Sequence, residues 1–296
     1  MVRNARCLFF SSSVILFLLF IQSTCSLLFD ANAPLLVAGQ LIAVGDSTNV
    51  ITFRNSRWDV NYRIAPGQWP GIHFLVGSQN NLLDYVIIEN AITGITIGNP
   101  DEDTLADLTL KHSIIRHTSQ MGLAAYSSDI VAENLLIMNS GSSNLVNAAG
   151  GFYHYNHCTF VNTPNLFYSS DPVAIFTNHL TLSDQSKISE YLYLILQNSI
   201  IWGSSDNDLW LSNDEKTGWS SSVDHNLIHS NNKLNDNLIV FDLPISLFVD
   251  IENYNYELDS GSVVIDLGQS SSVRDDLRGR LRDEQPDLGA FEKQNP

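Results

Sequence analysis

The sequence predicts an all-β solenoid, short strands wound in stacked coils around one continuous core. Three observations predict it. The first is a phrase that returns about every 22 residues, as stacked supersecondary units do. It consists of Asn or His, a residue that in most copies is small or apolar, then two residues that in most copies are both apolar. The copies are His112-Ser113-Ile114-Ile115, Asn134-Leu135-Leu136-Ile137, His157-Cys158-Thr159-Phe160, Asn198-Ser199-Ile200-Ile201 and His225-Asn226-Leu227-Ile228. Tyr85 opens the series, and Asn178 falls near the middle of the double-length gap between 157 and 198. The second observation is the length of the apolar runs. Gly94-Ile95-Thr96-Ile97, Leu108-Thr109-Leu110 and Asp129-Ile130-Val131-Ala132 are short, rich in β-branched residues and bounded by turn formers, which favours strands. The third is that no segment of the body carries a capped helical period. Helical repeats need about 30 to 45 residues per unit. Leucine-rich repeats need a regular leucine spacing that this chain lacks.

Taken in order, residues 1–25 read as a signal or leader segment. Arg3 and Arg6 form a positive start, and Leu8 to Ile21 is mostly apolar, the pattern of an export signal. Cys25 follows Gln22-Ser23-Thr24, which fits either acylation as a lipid anchor or ordinary cleavage nearby. Residues 27–245 read as a single-stranded right-handed parallel β-helix of roughly nine coils. Strand spacing of about 4.8 Å makes that a rod of about 40 to 45 Å. His112, Asn134, His157, Asn178, Asn198 and His225 form its structural ladder, each expected at an inward turn where the side chain bonds the backbone of stacked coils. Cys158 lies inside a phrase and reads as a small buried hydrophobe. Residues 246–296 read as a capping tail, whose Arg278, Arg280 and Arg282 pair with Asp275, Asp276, Asp283 and Asp287 to fasten it over the last coil.

Three stretches carry a family likeness. They are Leu35 to Ala43 with Ile51-Thr52-Phe53-Arg54; Pro66-Gly67-Gln68-Trp69-Pro70-Gly71 leading to Asp84-Tyr85-Val86; and the tail from Ile265 through Asp275-Asp276-Leu277-Arg278-Gly279-Arg280 to Asp287-Leu288-Gly289-Ala290-Phe291-Glu292. Together they resemble the exported, pectin-lyase-like right-handed β-helix proteins common in Bacteroidota, and the tail is similar to a choice-of-anchor motif. The resemblance implies an exported protein of the cell envelope or outer surface, often lipidated, on a fold that includes polysaccharide lyases and hydrolases among its members. Similar proteins carry further sequence before the Leu35 segment, so this chain reads as a shortened relative.

Composition narrows the partners. Acidic residues outnumber basic ones 32 to 15 and the formal net charge is -17, which repels nucleic acid and anionic membranes; membrane contact would run only through the leader or a lipid anchor. A uronate lyase needs a base and a cation for the substrate carboxylate. Lys111 and Arg116 are the candidates in a body otherwise poor in cations. Hydrolysis needs paired carboxylates, for which Asp84 with Glu89 and Asp206 with Asp208 qualify by position. Asp101, Glu102 and Asp103 form an acidic loop with oxygen ligands suited to calcium but without a recognised spacing, so no metal site or cofactor is assigned. Trp58, Trp202, Trp210 and Trp219 lie near turns, where a ring can stack on a sugar. The expected function is non-catalytic binding of a glycan or surface protein by a monomer. The alternative is a carbohydrate-active enzyme, a lyase or glycoside hydrolase, on the same fold.

Overall fold

The computed structural model describes residues 6–22, 25–57, 59–100, 105–163, 169–232, 234, 236–240 and 247–294. They form 28 strands and, among the described residues, no helix. Ten strands pair in parallel in sequence order: Arg6–Phe10, Cys25–Phe29, Ile51–Asn55, Val86–Glu89, Ile114–Thr118, Leu136–Ser140, Thr159–Val161, Ile200–Trp202, Leu227–His229 and Leu238–Val240. A 14-stranded parallel sheet has two arms that meet at the long strand Leu35–Val44. Its first half pairs with Ile72–Phe74 and its second with Asn81–Asp84. One arm continues through Ile95–Gly98, Leu123–Tyr126, Leu145–Ala148, Ala174–Thr177 and Leu209–Ser212. The other continues through Leu108–Lys111, Ile130–Glu133, Gly151–Asn156, Leu192–Gln197 and Trp219–Asp224. From Asn81 onward the chain visits second arm, ten-stranded sheet and first arm in rotation, and each round moves one strand along all three rows. Long parallel sheets visited in this way are consistent with a β-helix solenoid. The segment read as a leader is part of the same sheets: Arg6–Phe10 pairs with Cys25–Phe29, and Val14–Gln22 with Leu35–Val44.

The interior follows from strand alternation. In Leu108–Lys111 the leucines point in and are fully buried, while Thr109 and Lys111 face out. Successive strands place Leu83, Leu110, Ala132, Tyr155 and Leu196 in register, all fully buried. The small Ala132 lies between Leu110 and Tyr155, so the bulkiest residue of the column sits beside the smallest. One apolar cluster built this way runs from Ile21 to Ile228. Each buried Leu or Ile contributes about 1.5–3 kcal/mol.

The recurrent Asn or His is a backbone requirement. At the corner between the second arm and the ten-stranded sheet the chain passes through one left-handed residue per round: Tyr85 (φ 52°), His112 (42°), Asn134 (52°), His157 (52°), Asn198 (52°) and His225 (51°). That conformation costs a residue with a Cβ about 1–2 kcal/mol, and Asn and His are among the side chains that adopt it most readily. The expected inward ladder is therefore corrected by one position. The residue after each corner turns inward: Ser113, Leu135, Cys158, Ser199 and Asn226 are all buried. Ser113 Oγ accepts from Val86 N at 3.2 Å, Ser199 Oγ from Cys158 N at 3.1 Å, and Asn226 Oδ1 from Ser199 N at 2.8 Å. Asn178 stands outside this column. It follows Ala174–Thr177 in the other arm, and its amide donates to Asn213 Oδ1 at 2.9 Å and to the carbonyls of Asp214 and Thr217 at 3.1 Å. The 41-residue gap between His157 and Asn198 is one step of the stack, because Asn156 pairs directly with Gln197. The antiparallel hairpin His179–Thr181 with Lys187–Ser189 takes up part of the extra length.

The tail lies along the outer face of the ten-stranded sheet. A second apolar cluster joins Leu136, Met138, Val161, Ile200, Trp202 and Leu227 of that sheet to Phe248, Tyr256, Leu258, Leu277, Leu288 and Phe291 of the tail. Strands beneath it are buried on both faces and carry continuous apolar runs, as in Leu136–Ser140. Strands beyond it carry charge on the outer face, as in Arg54, Glu89 and Arg116. Some of its polar contacts reach the sheet, as where Ala290 N donates to Thr159 Oγ1 at 2.9 Å, and others fall on the left-handed corner. His112 Nε2 lies 3.2 Å from Asp275 Oδ1, and Asn134 Nδ2 donates to Asp275 O at 2.9 Å. His157 Nδ1 lies 3.2 Å from Asp287 O, and Asn198 Nδ2 donates to Gln269 O at 3.0 Å.

Candidate functional site

Two outward surfaces carry chemistry that packing alone does not use. The first is aromatic. Gly151–Asn156 and Leu192–Gln197 are neighbours in the second arm, with Phe152 beside Tyr193 and His154 beside Ile195. Alternation turns all four side chains away from the core. The Phe152 and Tyr193 rings stack at 5.3 Å with an interplanar angle of 11°. Tyr193 is 40% exposed, and Tyr191 at the head of the same strand is 56% exposed. Gly218 makes room for that second ring, because a Cβ there would lie 2.1 Å from Tyr191 Cδ2. The hairpin residues Leu182 and Ile188 add exposed apolar surface on the connection into this strand.

The second surface is charged. Arg54, Glu89 and Arg116 occupy equivalent outward positions on three successive strands of the ten-stranded sheet. Glu89 is buried; its Oε1 meets Arg54 Nη1 at 3.3 Å, and its Oε2 accepts from Arg116 Nε at 2.8 Å and Nη2 at 2.5 Å. The loop between Ile51–Asn55 and Ile72–Phe74 brings Arg63 and Ile64 to the same place, and the tail brings Tyr254. Together they line an open-sided cavity of about 470 Å³. His117 forms part of its wall, edge-on to Tyr254 with ring centroids 4.8 Å apart. Burial, reinforced by Arg116, pushes the His117 imidazole down to about 3, so it is neutral at physiological pH.

The carboxylates singled out for hydrolysis do not form acid–base pairs. Asp84 Oδ1 lies 2.8 Å from His112 Nδ1, and Glu89 is clamped between its two arginines. Asp206 is exposed. Asp208 is fully buried, accepting from Gly203 N at 2.7 Å and meeting His229 Nδ1 at 2.6 Å. Burial raises its pKa, and the His229 contact opposes that shift. His229 also packs on Trp202 at 4.6 Å, a grouping that spacing along the chain does not reveal. Lys111, a candidate base, is paired with Glu133 at 2.9 Å.

The tryptophans are not brought together. Trp58 lies outside the described residues. Trp202 is buried under the tail, Trp219 packs partly buried on the main core, and Trp210 on Leu209–Ser212 is 52% exposed. Asp101, Glu102 and Asp103 also lie outside the described residues. Among the described residues no three His, Cys, Asp or Glu side chains converge closely enough to hold a metal ion. Cys25 is half-buried at the head of its strand. Cys158 is fully buried, and burial pushes its thiol up to about 12, which removes it as a nucleophile at neutral pH. The aromatic face was legible only as scattered rings, since strand pairing across 41 residues places Tyr193 over Phe152. A scan against protein-family models finds no match for the chain, and no curated protein matches it.

Proposed function

We propose that this chain is an exported right-handed parallel β-helix of roughly nine coils, a cell-surface protein of the Bacteroidota type, which binds a glycan or surface partner without turning it over. The observation that carries this reading is the coplanar Phe152–Tyr193 pair with Tyr191 on one outward face. Flat, rigid rings held on paired strands offer apolar area at little entropic cost, and the hydroxyls of the tyrosines leave one edge polar. The engagement of Asp84, Glu89 and Lys111 in local pairs supports binding over catalysis.

In this reading residues 1–25 serve as the export leader, with Cys25 either acylated or close to the cleavage point. Cleavage just before Cys25 would leave Cys25–Phe29 and Leu35–Val44 as the first strands. The tail fastens the stack from its flank. Mass spectrometry of the mature protein would identify the anchor. A glycan array followed by affinity electrophoresis tests the binding face. Tyr193→Ala and Phe152→Ala are expected to weaken retention by about tenfold with the fold retained, and turnover of any polysaccharide by purified protein would refute the non-catalytic reading. The alternative, a carbohydrate-active enzyme, would draw on the Asp208–His229 pair beside Trp202, of which only His229 reaches the surface. Under that alternative Asp208→Asn abolishes a measurable activity.

A further inference from the structure

The arginine-lined cavity has a charge balance that structural pairing does not explain. The whole chain contains ten arginines against a net charge of -17. Three of them, Arg54, Arg63 and Arg116, line this one cavity with a single carboxylate, Glu89. Two of these guanidiniums share the one carboxylate. One arginine would neutralise Glu89, yet two hold it from the strands on either side. Arg116 spends its Nε and Nη2 on Glu89, and its side chain is 31% exposed. Arg63 is exposed and makes no ion pair among the described residues. Its backbone is held in place, because Asn90 Nδ2 donates to Arg63 O at 3.1 Å. The cavity therefore presents the held guanidinium of Arg116 and the exposed side chain of Arg63 beside an apolar wall formed by Ile64 and the Tyr254 ring.

We propose that this cavity binds a compact oxyanion, a carboxylate, sulfate or phosphate group, with Arg63 and Arg116 as its direct donors. Planar guanidinium forks match the paired oxygens of such groups, and charge-assisted bonds of this kind are roughly twice as strong as neutral ones. Arg54 and Glu89 act as positioning residues, since Glu89 holds Arg116 in one orientation. The apolar wall accommodates the carbon skeleton of a carrier, so the oxyanion can arrive on an acidic sugar or as a free ion.

Calorimetric titration at fixed ionic strength with three probes tests this: sodium sulfate, sodium phosphate and a uronic acid trisaccharide. At least one is expected to bind at one site with a Kd below about 1 mM. Binding of the trisaccharide alone assigns an acidic sugar, and binding of sulfate or phosphate alone assigns a free anion; either supports the site. Arg63→Gln, a change on an exposed loop, should weaken binding at least tenfold with an unchanged melting curve. Arg278→Gln on the exposed part of the tail should leave it unaltered. Tyr193→Ala should also leave it unaltered, which separates this site from the aromatic face. Absence of saturable binding by all three probes, or binding indifferent to Arg63→Gln, overturns the proposal.

Discussion

Replacing Arg282 by Met should detach the tail from the ten-stranded sheet. The Arg282 side chain is 2% exposed and pairs with the equally buried Glu292 at 3.0 Å. It also donates to Asn134 Oδ1 at 2.7 Å, Gly289 O at 3.0 Å and Asp275 O at 3.1 Å. It therefore ties three parts of the tail to the left-handed corner of the stack. Methionine keeps much of the volume but leaves a buried carboxylate without its cation, a loss of about 3–5 kcal/mol. Glu292 still accepts from Asp287 N at 3.0 Å and Asp283 N at 3.2 Å, which places the expected cost nearer the lower end. Arg278→Ala is the internal control: its side chain is 58% exposed in its pair with Glu257, so it should cost no more than about 1 kcal/mol. Urea titration followed by tryptophan fluorescence reads the difference, because Trp202 is buried within the tail's apolar cluster. Arg282→Met should give an early red-shifted transition, and amides of residues 264–292 should lose exchange protection before those of Leu108–Lys111. A transition midpoint within error of the Arg278→Ala control would refute the idea that this arginine holds the tail.

Three further outcomes follow from the corners and the buried imidazoles. Burial depresses the His157 pKa well below the usual value, and His117 falls to about 3. Each releases its proton on folding, so stability should fall as pH drops below about 6.5, by up to about 1.4 kcal/mol per pH unit per group. His112 has the opposite sign. Burial alone would lower it, but Asp84 and Asp275 outweigh that and raise it, so its contribution is full below pH 6.5 and is lost as pH rises through the raised value. Melting curves of His157→Asn and His112→Asn should flatten the acid and alkaline limbs respectively. At the half-buried corner residue His225 (φ 51°), glycine should be neutral or slightly stabilising while valine costs about 1–2 kcal/mol by denaturant titration. Gly122→Ala should cost at least about 2 kcal/mol, since a Cβ there would lie 2.3 Å from Ile137 Cγ2 and 2.6 Å from the Asn144 carbonyl oxygen.

The regular part of the architecture is written locally. A corner that demands a left-handed residue selects Asn or His at each round, and short β-branched runs alternate between core and solvent, so the period and the strand segments can be read along the chain. Asn178 shows where that legibility stops: it satisfies the local pattern but sits in another arm, because an inserted hairpin and a full turn of the stack have similar length. The orientation of the corner side chains was equally hidden, since the same phrase is compatible with an inward or an outward imidazole until the tail is in place.

Sequence by itself determined that this is a chain of short parallel strands with a repeated corner, because both depend on nearest-neighbour backbone conformation and side-chain alternation. Only the tertiary structure decided that the tail runs along the flank, that Tyr193 stacks on Phe152, and that Arg54 and Arg116 close on Glu89 from either side. Those contacts join residues tens to hundreds of positions apart, and register between strands, rather than any local preference, sets which side chains meet.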